Sequence, residues 1–120
     1  MRTTTIVAAI VLLAGGVAVA APTFAPDSPY KQVRERLMES GWHPASGLRR
    51  GGCGTDECPP YPEVLFCSGV GRSVCIYGWE KRGRYLKVSA WGENYRNQKF
   101  DALQVCRSLM FDRNFGWRCR

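Results

Sequence analysis

Apolar residues in the stretch 27–42 follow the spacing of one helix face. They recur at steps of three, four and one, at Tyr30, Val33, Leu37 and Met38. Ser28 is typical of an N-cap, Pro29 of a first helical position and Gly41 of a helix end. The pattern predicts an amphipathic helix that packs on another layer of the fold.

Three later runs are rich in β-branched and aromatic residues, as strands are. They read EVLFCS (63–68), SVCIYGWE (73–80) and RYLKVSAWG (84–92), separated by GVGR and KRG. Because the separating segments are short and contain glycine, the runs predict three consecutive antiparallel strands.

The register of this meander follows from its turns. A two-residue turn at Arg82 and Gly83 pairs Trp79 with Leu86, Tyr77 with Val88 and Cys75 with Ala90. A loop over residues 69–73 pairs Cys67 with Cys75 and Leu65 with Tyr77. The predicted core face is then Leu65, Cys67, Cys75, Tyr77, Trp79, Leu86, Val88 and Ala90. The predicted open face carries Phe66, Val74, Ile76, Tyr85, Lys87, Ser89 and Trp91.

Residues 99–110 fit either a helix or a fourth strand. We favour the strand, because it would protect an otherwise bare edge of the sheet. The predicted fold class is α+β, with an N-terminal helix packed on a three- to four-stranded antiparallel meander and stapled by disulfides.

The first 20 residues have the layout of a cleavable secretory signal. Arg2 precedes an apolar run over residues 6–13, and small residues lead to Ala20. The apolar run is shorter than the ~20 residues that span a bilayer. We therefore predict a signal peptide over 1–20, a leader over 21–29 and a single disulfide-rich α+β domain over 30–120. The predicted location is secreted or periplasmic, with no membrane span after signal removal.

Six cysteines in an exported chain predict three disulfides. Their connectivity is open, but we favour a bond between Cys106 and Cys119, which lie far from the others in sequence, and two bonds among the first four. Zinc and thioredoxin-type sites favour a Cys-x-x-Cys pair, which these spacings lack, so we predict no metal and no cofactor. The candidate disulfide residues are Cys53, Cys58, Cys67, Cys75, Cys106 and Cys119.

Seventeen basic residues against ten acidic ones give a formal net charge of +7. A basic surface favours an anionic envelope polymer or an acidic exported protein as partner, with nucleic acid disfavoured here. We expect charge contacts from basic residues in the loop before Cys53 and at the predicted 82–83 turn. We expect further charge contacts and stacking from the cationic and aromatic residues of the open face. The candidate binding residues are Arg49, Arg50, Arg82, Arg84, Lys87 and Trp91.

The chain resembles a group of small exported, disulfide-containing bacterial proteins of uncharacterised function. The shared pattern, over residues 30–93, runs Tyr-x-x-Val-Arg, Gly-Trp-x-Pro, Cys, Tyr-Pro-Glu, Cys-Ser-Gly-x-Gly, Cys and Gly-Glu. It falls on Tyr30, Val33, Arg34, Gly41, Trp42, Pro44, Cys58, Tyr61, Pro62, Glu63, Cys67, Ser68, Gly69, Gly71, Cys75, Gly92 and Glu93. The chain departs from the group by adding Cys106 and Cys119, which further favours their pairing.

Catalysis by a nucleophile needs a base beside it, and His43 is the chain's single histidine. We therefore predict that the protein is not an enzyme and that it binds an anionic or protein partner at the cell envelope. One alternative is a small envelope hydrolase that uses His43 and Glu63. Another is an inhibitor of an exported enzyme, with the loop 44–62 held rigid by Cys53 and Cys58.

Overall fold

The computed structural model describes residues 20–48, 59–68 and 73–120. Within these residues the chain forms one α-helix and seven β-strands in two antiparallel sheets. In chain order they are α1 (Tyr30–Glu39), β1 (His43–Pro44), β2 (Val64–Cys67), β3 (Val74–Lys81), β4 (Arg84–Trp91), β5 (Lys99–Cys106), β6 (Leu109–Asp112) and β7 (Gly116–Cys119).

The larger sheet has five strands built around the meander β3, β4 and β5. β1 and β2 both pair with the outer edge of β3, β1 near its end and β2 near its beginning. β6 and β7 form a separate two-stranded sheet. The fourth strand predicted from residues 99–110 is confirmed as β5, which covers one edge of β4.

The predicted fold class is wrong. The described chain is mostly antiparallel strand, and the second sheet, β6–β7, was not foreseen. The helix is not N-terminal either, because residues before it already pair with β5. The Asp27 amide donates to the Phe100 carbonyl at 3.2 Å, and the Phe100 amide donates to the Ser28 carbonyl at 2.7 Å. A turn at residues 26–27 and an isolated bridge between Pro29 and Lys99 thus join the sheet edge before α1 begins.

The hairpin between β3 and β4 has the predicted turn and register. Lys81 pairs with Arg84, which leaves Arg82 and Gly83 as the two turn residues. Both have positive φ, 49° at Arg82 and 75° at Gly83, as the tight hairpin turn that matches strand twist requires. The three predicted cross-strand pairs are confirmed: Trp79 with Leu86, Tyr77 with Val88 and Cys75 with Ala90.

The predicted register of β2 is correct at one end only. Cys67 pairs with Cys75, but Val64 rather than Leu65 lies opposite Tyr77, because a bulge shifts the register between Val64 and Phe66. A bulge adds one residue to a strand and so turns the following side chains to the opposite face. Leu65 therefore leaves the predicted core face and packs on the other side of the sheet.

Helix α1 buries Tyr30, Val33 and Leu37 against the larger sheet, as predicted. Met38 was placed on this face but is 41% exposed. Ser28 was predicted as the helix cap, but its hydroxyl donates to the Ala25 carbonyl instead and no side chain caps α1. Hydrophobic packing rather than capping therefore holds the helix in place.

Each face of the larger sheet carries its own apolar cluster. The main core lies between the sheet and α1 and includes Tyr30, Val33, Leu37, Trp42, Val64, Tyr77, Trp79, Leu86 and Val88. The second core lies on the opposite face beneath the β6–β7 hairpin and contains Leu65, Cys106, Leu109 and Trp117. Gly78 faces this second core, and a Cβ there would lie only 2.9 Å from Leu65 Cδ1. The missing side chain at Gly78 thus lets Leu65 pack close to the sheet.

Two disulfides lie within the described residues. Cys67 is bonded to Cys75, and Cys106 is bonded to Cys119 as predicted. Cys53 and Cys58 lie outside the described residues, as do Arg49, Arg50 and all of the predicted signal peptide except Ala20. The disulfides fit an oxidising compartment.

Candidate functional site

A buried carboxylate lies under the N-terminal half of α1. Glu63 is completely buried, and its Oε1 accepts hydrogen bonds from Arg34 Nε at 2.5 Å and from the Tyr30 hydroxyl at 3.1 Å. Its Oε2 lies 3.5 Å from Arg34 Nη2. The arrangement follows from the sequence, because Tyr30 and Arg34 are four residues apart and so share one helix face.

Aromatic rings enclose this ion pair. The Tyr30 ring stacks on Tyr77 with centroids 3.9 Å apart, and the Arg34 guanidinium lies over the Tyr61 ring at 4.6 Å. Burial raises the pKa of both the Tyr30 and Tyr77 phenols, and the negative charge of Glu63 raises each pKa further. Both phenols are therefore neutral donors at physiological pH.

A second set of polar contacts reaches the first disulfide. The Tyr77 hydroxyl donates to Gln98 Oε1, and Gln98 Nε2 lies 2.8 Å from Cys75 Sγ, a weak acceptor. Gln98 is itself only 3% exposed. The stacked rings of Tyr30 and Tyr77 lie between this set and the Glu63 ion pair, so the two sets together tie α1 to β3 and to the segments before β2 and β5.

The two residues of the alternative hydrolase, His43 and Glu63, are not brought together. His43 lies in β1 opposite Glu80, and paired residues of adjacent strands place their side chains on the same face of a sheet. Glu80 follows Trp79, which is in the main core, so Glu80 and His43 project from the opposite face, where both are exposed. Glu63 contacts α1 on the helix side. Both Glu63 oxygens accept hydrogen bonds from residues of α1.

Of the predicted binding residues on the meander, two are exposed and two are half-buried. Arg82 and Arg84 are exposed at the β3–β4 turn. Lys87, however, is half-buried and donates to the Trp117 carbonyl at 2.8 Å, so it contacts the hairpin of β6 and β7. Trp91 is half-buried, with Lys99 Nζ 5.4 Å from its ring centroid. The predicted open face is therefore partly closed by β6–β7.

Among the residues that the structure describes, three of the most exposed large apolar side chains belong to the C-terminal hairpin, which we define as residues 107–120. Met110 is 65% exposed, Phe111 51% and Phe115 73%. The hairpin also carries one acidic residue, Asp112, and four arginines, Arg107, Arg113, Arg118 and Arg120. Exposed aromatic residues set among cations form a surface that can contact both apolar and anionic groups.

The C-terminal hairpin is fixed to the body of the molecule at its base. Leu109 and Trp117 are buried in the second core, and the disulfide between Cys106 and Cys119 closes the base covalently. Backbone hydrogen bonds between Ser108 and Arg120, at 3.0 and 3.2 Å, continue the pairing beyond β6 and β7. The base of the hairpin is therefore anchored by apolar packing, by backbone hydrogen bonds and by a disulfide.

The turn of this hairpin has its own polar support. Asp112 Oδ1 accepts from the Asn114 amide at 2.8 Å, and Asp112 Oδ2 lies 3.6 Å from Arg118 Nη1. The Asn114 amide is the main cause of a lowered pKa for Asp112, and nearby Arg118 lowers this pKa as well. The guanidinium of Arg118 also lies 5.1 Å from the Phe115 ring centroid.

Two hollows flank the exposed strand β6. One, of about 380 Å³, is lined by the apolar residues Leu48, Leu109, Met110, Phe111 and Trp117. The other, of about 130 Å³, is lined by Ser108, Met110 and Phe111 together with the charged residues Asp112, Arg118 and Arg120. Met110 and Phe111 border both, so apolar and charged side chains meet at these two residues.

Sequence reasoning missed this hairpin as a site. The sequence MFDRNFGWRCR (110–120) alternates aromatic and basic residues, and this signal was available. It was overlooked because residues 99–110 were analysed only as a helix or an edge strand, with residues beyond 110 unassigned except for Cys119.

Comparison of the chain with protein-family models, with curated proteins and with solved structures finds no match. The resemblance to small exported bacterial proteins accordingly stays a prediction. Among the residues that the structure describes, no three His, Cys, Asp or Glu side chains are grouped as metal ligands would be. Over the same residues, no helix has the length and apolar character needed to cross a membrane.

Proposed function

We propose that this protein is an exported, non-catalytic binding protein whose C-terminal hairpin contacts an anionic partner at the cell envelope. One observation carries the proposal. Met110, Phe111 and Phe115 are exposed on a disulfide-closed hairpin that carries four arginines and one aspartate. Its function as a binding surface follows from this combination rather than from net charge alone.

The apolar exposure separates this surface from an ordinary solvated one. Basic residues on their own serve solubility, and single exposed apolar residues are common. Three large apolar side chains within six residues, however, expose surface that soluble proteins usually cover or use in binding. Because cations surround them, an anionic partner with an apolar portion satisfies both kinds of group.

Export is supported by two independent features. The N-terminal residues have the charge, apolar and small-residue order of a secretory signal. The Cys67–Cys75 and Cys106–Cys119 disulfides persist in oxidising compartments such as the periplasm or the medium. The proposed location is therefore outside the cytoplasm, where anionic envelope polymers and lipids are found.

Retention on immobilised dextran sulfate tests the proposal. The variant Arg107→Gln/Arg113→Gln/Arg120→Gln removes three exposed charges from the C-terminal hairpin. The matched control Lys31→Gln/Arg82→Gln/Arg84→Gln removes three exposed charges from α1 and the β3–β4 turn. We expect the hairpin variant to elute at clearly lower salt than the control, because local charge density governs contact with a polyanion.

Equal elution of the two variants would mean that only net charge matters, and it would contradict a localised site. Failure of the unmodified protein to bind the polyanion at low salt would overturn the proposal. Earlier elution of the control than of the hairpin variant would move the site to the β3–β4 turn.

A further inference from the structure

We infer that the anionic partner is a lipid surface and that the tip of the C-terminal hairpin enters its interfacial layer. This inference rests on the proposed function, since it uses the same arginines, but it adds a role for the apolar side chains. It assigns Met110, Phe111 and Phe115 to shallow insertion and the neighbouring arginines to contacts with lipid phosphates.

The directions of the apolar side chains favour a lipid layer over a folded protein. Met110 and Phe111 are consecutive in β6, so their side chains project from opposite faces of the hairpin. Phe115 lies between the strands, in the turn. Phe111 shares its face with buried Trp117, whose ring centroid lies 5.7 Å away, so about half of the Phe111 side chain remains exposed. A flat protein surface could not cover both Met110 and this exposed half, whereas a fluid lipid layer contacts both of them and the tip at once.

The arginines lie at positions that suit lipid headgroups. Arg113 is in the turn beside the tip, Arg118 pairs with Met110 across the hairpin, and Arg107 and Arg120 lie at its base. Long basic side chains can extend from a buried apolar position toward phosphate groups. Each basic residue close to an anionic lipid surface strengthens binding by about fivefold.

The backbone limits how deeply the hairpin can enter. β6 and β7 form a sheet of two strands, so each strand has one edge whose amides and carbonyls have no neighbouring strand. Such groups cannot be left without hydrogen bonds in the hydrocarbon interior. Insertion therefore stops near the headgroup boundary, within the ~5–10 Å reached by other interfacial segments.

The hairpin is suited to this role because its base does not need to rearrange. Trp117 and Leu109 remain in the second core, and Lys87 donates to the Trp117 carbonyl. The Cys106–Cys119 disulfide joins the end of β5 to the end of β7. A surface that is already ordered loses little conformational entropy when it binds.

Cosedimentation with vesicles tests the inference, using oxidised protein purified after export. One set of vesicles contains phosphatidylglycerol and phosphatidylcholine, and the other contains phosphatidylcholine alone. We expect binding to the anionic set, and we expect Met110→Ser/Phe115→Ser to weaken it by about tenfold or more, since two apolar side chains no longer leave water. The matched control is Phe66→Ser, a 43% exposed aromatic on the larger sheet, which should bind like the unmodified protein.

A variant expected to bind more tightly provides a second test, because misfolding would not be expected to raise the affinity for vesicles. Asp112→Asn keeps the oxygen that accepts from the Asn114 amide but removes the one negative side chain of the hairpin. We expect this variant to bind anionic vesicles about fivefold more tightly. Unchanged or weaker binding would contradict the placement of the hairpin at the lipid surface.

The outcomes separate failure of this inference from failure of the proposed function. Retention on dextran sulfate without vesicle binding would overturn the lipid inference alone. So would vesicle binding that Met110→Ser/Phe115→Ser leaves unchanged, because attraction would then be purely electrostatic. Absence of binding to both probes would overturn the proposed function together with the inference.

Discussion

The two faces of the larger sheet differ in which groups they bury and which they leave exposed. On the helix face, the charged Glu63 is completely buried and is paired with Arg34 and Tyr30. On the opposite face, the C-terminal hairpin leaves Met110 and Phe115 more than half exposed. The first face buries a charge inside the fold, and the second presents apolar surface to the outside.

This difference shows where to look for function. A buried charge costs free energy unless it is paired, and the helix face meets that requirement with its own residues. An exposed apolar side chain stays in contact with water unless something outside the fold covers it. Glu63, which the alternative hydrolase uses, thus has its polar partners within the fold, whereas the exposed side chains of the C-terminal hairpin are the ones on which the proposed binding function rests.

The largest expected effect comes from breaking the helix-face network at Arg34. The substitution Arg34→Met keeps the side-chain length but removes the cation that pairs with Glu63. The buried carboxylate then keeps only the hydrogen bond from the Tyr30 hydroxyl. Removing one partner of a buried ion pair costs about 3–5 kcal/mol. We expect the free energy of unfolding, measured in urea at neutral pH, to fall by roughly this amount.

Lys31→Met on the same helix is the matched control, because Lys31 is exposed. It should change the free energy of unfolding by less than about 0.5 kcal/mol. If the two variants unfold at the same urea concentration, the Glu63 network does not stabilise the fold and the contrast between the faces is wrong.

A smaller effect should appear at alkaline pH on the same face. The pKa values of Tyr30 and Tyr77 are raised in the folded state, mainly by burial. Because the unfolded phenols ionise near a pKa of about 10, the stabilisation is complete below that pH and is lost as the pH rises above it. Each tyrosine should lower the free energy of unfolding by about 1.4 kcal/mol per pH unit in that range.

Urea unfolding measured across this pH range tests the prediction. Tyr77→Phe removes one ionisable group, so the slope of stability against pH above pH ~10 should fall by about half. The comparison concerns slopes, because this variant also loses the hydrogen bond to Gln98. An unchanged slope would show that Tyr77 ionises equally well in the folded and unfolded states.

The register of the meander was predicted well because the two-residue turn and the alternation of apolar and polar residues indicate the same strand pairing. A two-residue turn at Arg82 and Gly83 determines the pairing of all the residues in β3 and β4. The same reasoning failed at Leu65, because a bulge depends on packing against Gly78 and the second core, which no local pattern specifies. Local turn chemistry thus fixed one register, and tertiary packing decided the other.

The candidate site was predicted less well, and for a physical reason. Arg82 and Arg84 were correctly expected at an exposed turn, but Lys87 was assigned to binding before the C-terminal hairpin was known to cover it. The exposure of Phe111 and Phe115 depends on where this hairpin docks, and alternation alone predicts buried aromatic residues as readily as exposed ones. The sequence pattern of residues 110–120 could therefore have marked the segment, but the exposure of its aromatic side chains is shown only by the position of the second sheet.

The smallest expected effect on stability belongs to the hairpin tip. Met110 and Phe115 are already largely exposed in the folded protein, so little apolar area returns to water when they are shortened. The double variant Met110→Ser/Phe115→Ser should change the free energy of unfolding by less than about 0.5 kcal/mol, the usual range for surface sites. Urea unfolding without lipid measures this value. A loss of more than about 2 kcal/mol, as core truncations give, would show that these side chains pack within the fold and that their weaker vesicle binding reflects unfolding.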